Sequence, residues 1–217
     1  RSSKSVPVYD NDKPEITDNT PSSGTTGDSF TFNASVVDNI AVTNVYVEYW
    51  YGSGTHTNVS MSNVAGDYYE HTITIADTLD TLHYIISAID SSGNWNNTGI
   101  KDVTISDNDN PSIDADNSDA YGTTGDIFHF NISASDNIGV GSVNISWSHG
   151  SLSGNIALSA VGSYWIGTII LDHSTSSLTY TIQVNDTSGN YIRSSKSVPV
   201  YDNDKPEITD NTPSSGT

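Results

Sequence analysis

Residues 24–36 read Gly-Thr-Thr-Gly-Asp-Ser-Phe-Thr-Phe-Asn-Ala-Ser-Val, a turn followed by alternating apolar and polar side chains. From Phe30 to Val36 every second side chain is apolar, and this period is typical of a strand with one buried face. The pattern returns at residues 122–134 as Gly-Thr-Thr-Gly-Asp-Ile-Phe-His-Phe-Asn-Ile-Ser-Ala. The sequence therefore predicts a β fold that is built from a repeated unit.

Two repeats of different length are present. Residues 1–25 return without a change at residues 193–217. A diverged motif, Asp-Asn-Asp-x-Pro, begins at Asp10, Asp107 and Asp202. Its spacing gives a unit of about 95 residues, which lies within the usual size of one domain.

The repeat borders predict four segments. Residues 1–9 correspond to the last strand of a preceding repeat, and residues 202–217 begin a following one. Residues 10–106 and 107–201 are two whole domains. Within each domain, turn residues separate about seven short strands, a pattern typical of a β-sandwich.

The strand pattern resembles tandem immunoglobulin-like and fibronectin type III-like repeats, with an aromatic residue on the third strand and Tyr84 or Tyr180 on the sixth. The fold class expected is all-β, as tandem seven-stranded immunoglobulin-like β-sandwiches, although the two cysteines of true immunoglobulin domains are missing. An Asp-x-x-Gly-Asn turn follows the sixth strand at Asp90 and Asp186. This turn is similar to repeats of prokaryotic, particularly archaeal, surface or filament proteins, which implies an extracellular, cell-surface location.

Acidic residues dominate the charged composition. Seven Lys and Arg stand against 26 acidic residues, and the net charge is −19. This sign argues against nucleic acid and anionic membranes as partners, because both bind basic patches. Of the acidic residues 22 are Asp, which suits turns and oxygen-ligand sites. A turn-rich β protein shows the same bias because it uses Asp in its turns, and a salt-adapted host would add to it. No apolar run is long enough to span a membrane.

The linker and two loops of each domain are expected at the same end of a sandwich. Their carboxylate and amide oxygens would form a hard-oxygen cage of the kind that Ca²⁺ selects. The predicted ligands are Asp10, Asp12, Asp38, Asn39, Asp90 and Asn94; Asp107, Asp109, Asp136, Asn137, Asp186 and Asn190; and Asp202 and Asp204 of the third linker. The linker is similar to the cadherin junction motif, in which Ca²⁺ stiffens successive domains. The alternative is that the motif only turns the chain between units.

Six Asn-x-Ser/Thr sequons are candidate glycosylation sites, although this content of Asn, Ser and Thr produces about that many by chance. They are Asn33, Asn58, Asn96, Asn131, Asn144 and Asn185.

No catalytic motif stands out, and the histidines fall at unmatched positions in the two units, so we expect no enzyme. The sequence favours a structural repeat of an extracellular surface or filament protein, whose partners are copies of itself. An adhesin that binds glycans or neighbouring cells, through exposed aromatics such as Tyr51, Trp95 and Trp165, is the alternative. A third alternative is that these units are spacers that carry an enzyme elsewhere in the full protein. Residues 1–9 are also a natural donor strand if subunits exchange strands.

Overall fold

The structure, a computed structural model, describes residues 3–211. The chain divides after Asn108 into two compact units, and each is taken by itself below. The strands of the first unit are β1 (Glu15–Asp18), β2 (Ser23–Thr25), β3 (Ser29–Val37), β4 (Val42–Tyr51), β5 (Thr57–Ser60), β6 (Ser62–Ala65), β7 (Tyr68–Thr74), β8 (Leu82–Asp90), β9 (Trp95–Asn97) and β10 (Lys101–Ser106). Those of the second are β11 (Ser112–Asp116), β12 (Gly122–Thr123), β13 (Ile127–Ser135), β14 (Val140–His149), β15 (Leu152–Ala157), β16 (Ser159–Val161), β17 (Tyr164–Ile170), β18 (Leu178–Asp186), β19 (Tyr191–Val198) and β20 (Val200–Tyr201).

The first unit is a sandwich of two sheets. One has the order β1-β3-β7-β6 and the other β2-β10-β8-β4-β5, with β9 added to the end of β8. All pairs are antiparallel except β2 with β10. These orders correspond to the ABED and GFC sheets of the immunoglobulin fold. The predicted all-β sandwich is therefore confirmed.

The core of the first unit comes from the alternating strands. The side chains that face inward on β3 and β8 are almost fully buried, and Phe32 and Leu82 are 0 % exposed. The Phe32 ring lies 5.2 Å from the Tyr84 ring across the two sheets, measured between centroids. Burial of aromatic and branched side chains on both inner faces holds the sheets together.

The second unit repeats this arrangement. Its sheets have the orders β11-β13-β17-β16 and β15-β14-β18-β19, and β12 pairs in parallel with β20, which continues β19 after Pro199. Phe130 packs edge-on against Tyr180 with ring centroids 5.1 Å apart. No helix that could cross a bilayer occurs in residues 3–211.

The expected count of seven strands is not confirmed, because the described residues form ten strands in each unit. The additional strands β2, β6 and β9 contain three or four residues each, too few to show a hydrophobic period. The segment between β4 and β7 forms two short strands, β5 and β6, which lie on different sheets on either side of Met61. The backbone N–H of Met61 donates to Val45 O at the point where the chain changes sheets, and Leu158 does the same with Val143 in the second unit.

A buried histidine in the second unit replaces a tyrosine of the first. Tyr51 accepts a hydrogen bond from the Ala76 backbone N–H through its hydroxyl at 3.1 Å. At the matching place, His149 Nδ1 accepts from the Asp172 N–H at 3.0 Å, and its Nε2 lies 3.0 Å from Ser174 O. The imidazole is therefore held as the neutral tautomer that is protonated at Nε2.

The identical end segments have different structures. Residues 193–201 belong to β19 and β20, where Val198 and Val200 are 1 % and 4 % exposed. Residues 3–9 form no strand, and the corresponding Val6 and Val8 are 73 % and 94 % exposed. Residues 202–211 also form no strand, and 1–2 and 212–217 lie outside the described residues.

Candidate cation site in the linker and loops

The two loops of the first unit that carry predicted ligands are held by their own aspartates. Asp38 Oδ1 accepts from the backbone N–H groups of Ile40 and Ala41 at 2.9 and 3.1 Å. Asp90 Oδ1 accepts from the Asn94 N–H at 2.8 Å, and Asp90 Oδ2 accepts from the Asn94 side-chain amide at 2.7 Å. Each aspartate therefore fixes the turn that follows its own strand.

The linker before β1 contacts both loops. Asp10 Oδ1 accepts from the Asp12 N–H at 3.1 Å, which makes the linker a compact turn. Asn39 Nδ2 donates to Asp12 Oδ2 at 3.0 Å, and Asn94 Nδ2 lies 3.4 Å from the Asp10 carbonyl oxygen. The structure thus places the linker beside the two loops.

Three carboxylates meet at this place. One oxygen from each of Asp10, Asp38 and Asp90 lies within 4.8 Å of the other two. The second oxygens of two of these groups, Asp10 Oδ2 and Asp38 Oδ2, are buried and accept no hydrogen bond. A buried carboxylate oxygen with no donor is unfavourable, and neighbouring carboxylates repel one another.

The Asp90 carboxyl is ionised in the folded protein. Burial, the largest influence, raises its pKa, but hydrogen bonds from the Asn94 side chain and from backbone N–H groups together hold the pKa below its ordinary value. The cluster therefore carries negative charge at neutral pH, as cation ligands require.

The second unit has the same loops. Asp136 Oδ2 accepts from the N–H groups of Ile138 and Gly139 at 2.9 and 2.8 Å, and Asp136 Oδ1 is buried without a hydrogen-bond donor. Asn137 Nδ2 donates to Asp109 Oδ2 at 2.9 Å, as Asn39 donates in the first unit.

The Asp186 loop is built like the Asp90 loop. Asp186 Oδ1 accepts from the Asn190 N–H at 2.8 Å, and Asp186 Oδ2 accepts from the Asn190 side-chain amide at 2.7 Å. Burial raises the Asp186 pKa, but the hydrogen bonds from Asn190 and the loop backbone outweigh it and leave the pKa lowered.

The remaining predicted ligands lie after the last strand of each unit. Asp107 Oδ1 accepts from Thr26 Oγ1 at 3.0 Å within the first unit. Asp202 Oδ1 and Asp204 Oδ2 lie 3.2 and 3.4 Å from Thr124 Oγ1 within the second. These aspartates contact a turn at the start of the unit that they follow, which the sequence reasoning did not predict.

A second repeated contact was also missed. The Tyr84 hydroxyl donates to Asp18 Oδ2 and the Tyr180 hydroxyl to Asp116 Oδ2, both at 2.7 Å. Burial, followed by the bond to the carboxylate, raises the pKa of each tyrosine. The signal in the sequence was an aspartate at the end of the first strand of each unit.

The sequons differ in exposure. Asn58 is exposed on β5, and the other five are partly buried. Their side-chain nitrogen is the atom that would carry a glycan. Asn33 uses it to donate to Glu70 Oε1 at 2.6 Å, and Asn96 uses it to donate to the Pro14 carbonyl at 2.8 Å.

The aromatic residues expected on the surface are mostly not there. Tyr51 is partly buried, and Trp165 packs against the core of the second unit. Trp95 is 49 % exposed and stacks on Tyr46 with 6.0 Å between centroids. It remains the exposed candidate of the three.

Two histidines of the first unit each contact one carboxylate on the sheet surface. His56 and His83 lie 2.7 Å from Glu48 and Asp102, respectively. Both imidazoles also contact the Trp50 ring, with centroids 3.9 and 5.5 Å away, and these contacts have no counterpart in the other unit.

No protein-family model matches the chain, and no curated protein matches it. Among solved structures, the chain is similar to the fibronectin(III)-like modules of Clostridium thermocellum CbhA, at 15 % identity and a TM-score of 0.36, over 90 % of this chain and 100 % of that one. A tetra-tandem repeat from the extending region of a large adhesion protein is 17 % identical, with a TM-score of 0.43, over 87 % and 49 %. A putative membrane-anchored protein from Corynebacterium diphtheriae is 14 % identical, with a TM-score of 0.37, over 91 % and 55 %. The fold assignment rests on the strand orders given above.

Proposed function

We propose that this chain is a structural repeat segment of an extracellular surface or filament protein, in which Ca²⁺ fixes each linker to the unit that follows it. The observation that carries the proposal is the cluster of Asp10, Asp38 and Asp90, which joins a linker residue to two loop residues.

The buried oxygens call for a cation. Asp10 Oδ2 and Asp38 Oδ2 have no donor, while the other oxygen of each group already accepts backbone N–H groups. A cation would satisfy both oxygens and cancel the repulsion among the carboxylates. Protonation is the other way to relieve the repulsion, but the hydrogen bonds to Asp90 favour its charged form.

The chemistry of the donors favours calcium. All are hard oxygens, which Ca²⁺ binds at about 2.3–2.6 Å in sets of six to eight. Two oxygens on one Ca²⁺ are thus at most about 5 Å apart, and the spread of 4.8 Å is within this limit. Asp12, Asn39 and water would complete the set.

Calcium would act on the linker. Within the first unit the linker is held to the loops by hydrogen bonds from Asn39 and Asn94, which exchange readily with water. Three carboxylates on one ion would replace these weak contacts with charged ones. A repeated stiff linker gives a tandem protein length, the property that a surface stalk or filament needs.

The direct test is a calcium titration of the whole chain followed by thermal melts. Free Ca²⁺ at a hundredfold of the dissociation constant stabilises the folded state by about 2.7 kcal/mol. For a unit of this size we expect a rise of roughly 10 °C or more in the melting temperature. Identical melting temperatures in chelator and in millimolar Ca²⁺ would reject the site.

Asp38→Asn tests the ligand role, because the amide oxygen still accepts from Ile40 and Ala41 while the charge is lost. Calorimetry should show weaker binding, and the amide resonances of residues 10–12 should no longer shift with Ca²⁺. Asp67→Asn, at an exposed turn, changes the net charge by the same amount and is the matched control. Equal calcium binding by the two variants would contradict the assignment.

One observation favours an adhesin as the second candidate. Trp95 presents an exposed ring stacked on Tyr46, and such a surface suits the apolar face of a sugar. Electron microscopy of the repeat protein distinguishes the two, since straight rods in Ca²⁺ favour the structural role, and glycan-dependent clustering lost in Trp95→Ala favours the adhesin.

A further inference from the structure

The turn between β2 and β3 lies beside the end of its own unit's last strand. β2 runs parallel to β10, with Thr25 opposite Ser106, so the two strands end at the same end of the sheet. The Thr26 N–H donates to the Ser106 carbonyl at 3.0 Å. Gly27, with a φ of 70°, then turns the chain back.

This turn contacts the linker that follows the strand. Thr26 Oγ1 donates to Asp107 Oδ1 at 3.0 Å, and Asn108 Nδ2 donates to Asp28 Oδ2 at 3.3 Å. Thr25 Oγ1 donates to the same Asp28 oxygen at 2.5 Å and so orients it. The first two residues of the linker are therefore bound by two side chains of the turn.

The second unit has the same contacts. Thr124 Oγ1 donates to Asp202 Oδ1 at 3.2 Å, Asn203 Nδ2 donates to Asp126 Oδ2 at 3.0 Å, and Thr123 Oγ1 donates to Asp126 Oδ2 at 2.7 Å. Hydrogen bonds from Thr123 and Asn203 hold the pKa of Asp126 below its ordinary value. The two turns and the two Asp-Asn pairs match residue for residue.

We propose that the Thr-Thr-Gly-Asp turn of each unit is a docking site for the Asp-Asn pair that leaves that unit, and that it orders this part of the linker without a cation. The proposal deepens the proposed function, and it rests on it for the mechanical role of the linker. The linker then has two attachments of different chemistry. Hydrogen bonds from the turn hold its first two residues to the preceding unit, and Ca²⁺ holds it to the following one.

The two kinds of attachment are found at different linkers of the chain. Among residues 3–211, the linker at 10–12 contacts the loops of the unit that follows it, and no turn of a preceding unit is described. The linker at 202–204 contacts the preceding unit, at the turn and at His173, whose Nδ1 lies 3.9 Å from Asp204 Oδ2. Each linker is thus the internal control for the other.

The test is backbone ¹⁵N relaxation of the whole chain, in Ca²⁺ and in chelator. We expect residues 202–203 to have order parameters near those of the sheets, about 0.85, in both conditions, whereas residues 206–211 fall below about 0.6. Residues 10–12 should become more ordered only on adding Ca²⁺. Order at 202–203 that requires Ca²⁺, or mobility there in both conditions, would overturn the docking proposal. An unresponsive 10–12 would instead reject the cation site.

Two variants test the side chains. Asn203→Asp removes the side-chain amide that donates to Asp126 and places a second carboxylate beside the Asp126 carboxylate. Residues 202–203 should then become as mobile as residues 206–211. Adding Asp126→Asn to this variant exchanges donor and acceptor, because the new amide donates to the new carboxylate at 203. Its amide oxygen still accepts from Thr123, so the order of residues 202–203 should be restored. A loss that the exchange does not rescue would show that the contact does not position the linker. Asn203 is exposed, so the fold of the unit should be unaffected, and this is checked by the amide spectrum of β18.

Discussion

Removal of one hydroxyl should destabilise the two units by different amounts. The Tyr84 and Tyr180 hydroxyls both donate to a carboxylate at 2.7 Å. Asp116 Oδ2 also accepts from Lys196 Nζ at 2.9 Å. Asp18 Oδ2 has no second donor in the part of the chain that the structure describes. Tyr84→Phe therefore leaves a partly buried charged oxygen without a partner, and Tyr180→Phe does not.

The expected magnitudes follow from these contacts. A hydrogen bond to a charged group contributes about 1.5–3 kcal/mol, and a typical hydrogen bond about 0.5–1.5 kcal/mol. Because Lys196 still neutralises Asp116 when the Tyr180 hydroxyl is removed, the lower range applies to Tyr180. We expect the free energy of unfolding of the first unit to fall by about 2 kcal/mol in Tyr84→Phe, and that of the second to fall by about 1 kcal/mol in Tyr180→Phe. A loss of 2 kcal/mol lowers the melting temperature of such a unit by roughly 10 °C.

Native-state hydrogen exchange measures the two units separately in one chain. Amides of β8 report the first unit, and amides of β18 report the second. Combining Tyr180→Phe with Lys196→Met should raise the loss in the second unit to that of Tyr84→Phe. The reasoning is refuted if Tyr180→Phe alone costs as much as Tyr84→Phe, or if removing Lys196 adds nothing.

Two further outcomes are expected. The melting temperature should fall with pH below about 3.9. The pKa values of Asp90 and Asp186 are lowered in the folded state, so their stabilisation is complete above the unfolded-state pKa and is lost as the pH falls through the folded-state values. The double variant Asp90→Asn and Asp186→Asn should lose less melting temperature over this acid range, and an unchanged loss would contradict the prediction. His149→Leu should destabilise the second unit by about 1–3 kcal/mol, measured by urea denaturation, because it leaves the partly buried Asp172 N–H without its acceptor. His149→Tyr should cost less, because Tyr51 fills that role in the first unit, and equal losses would count against the comparison.

The sequence predicted the parts of the fold in which one side chain in two is apolar. Strand β3 shows this alternation from Phe30 to Val36, and its inward side chains are the buried ones. Strand β6 reads Ser-Asn-Val-Ala and is exposed throughout, so its pairing depends on β7 rather than on its own pattern.

The candidate cation site could be predicted from the sequence where its residues belong to short motifs that recur in both units. The Asp38 and Asp90 loops recur in the second unit, and sandwich geometry predicts that they meet the linker, where the structure places them with Asp10. The docking of Asp107 on Thr26 was not predictable in this way. It depends on the parallel pairing of β2 with β10, and β2 is three residues long with no hydrophobic period.

The contrast between residues 3–9 and 195–201 sets a rule for dividing such a chain into soluble fragments. The same residues are core when β18 is beside them and exposed when it is not, as Val198 and Val6 show. A fragment that starts inside this segment gains apolar surface and no stability, and one that ends before it leaves an open sheet edge at β18. Fragments that begin at Asp10 or Asp107 and keep the segment with its own β18 avoid both faults. During synthesis on the ribosome, the same rule means that a repeat cannot close its second sheet until the residues just before the next linker have emerged.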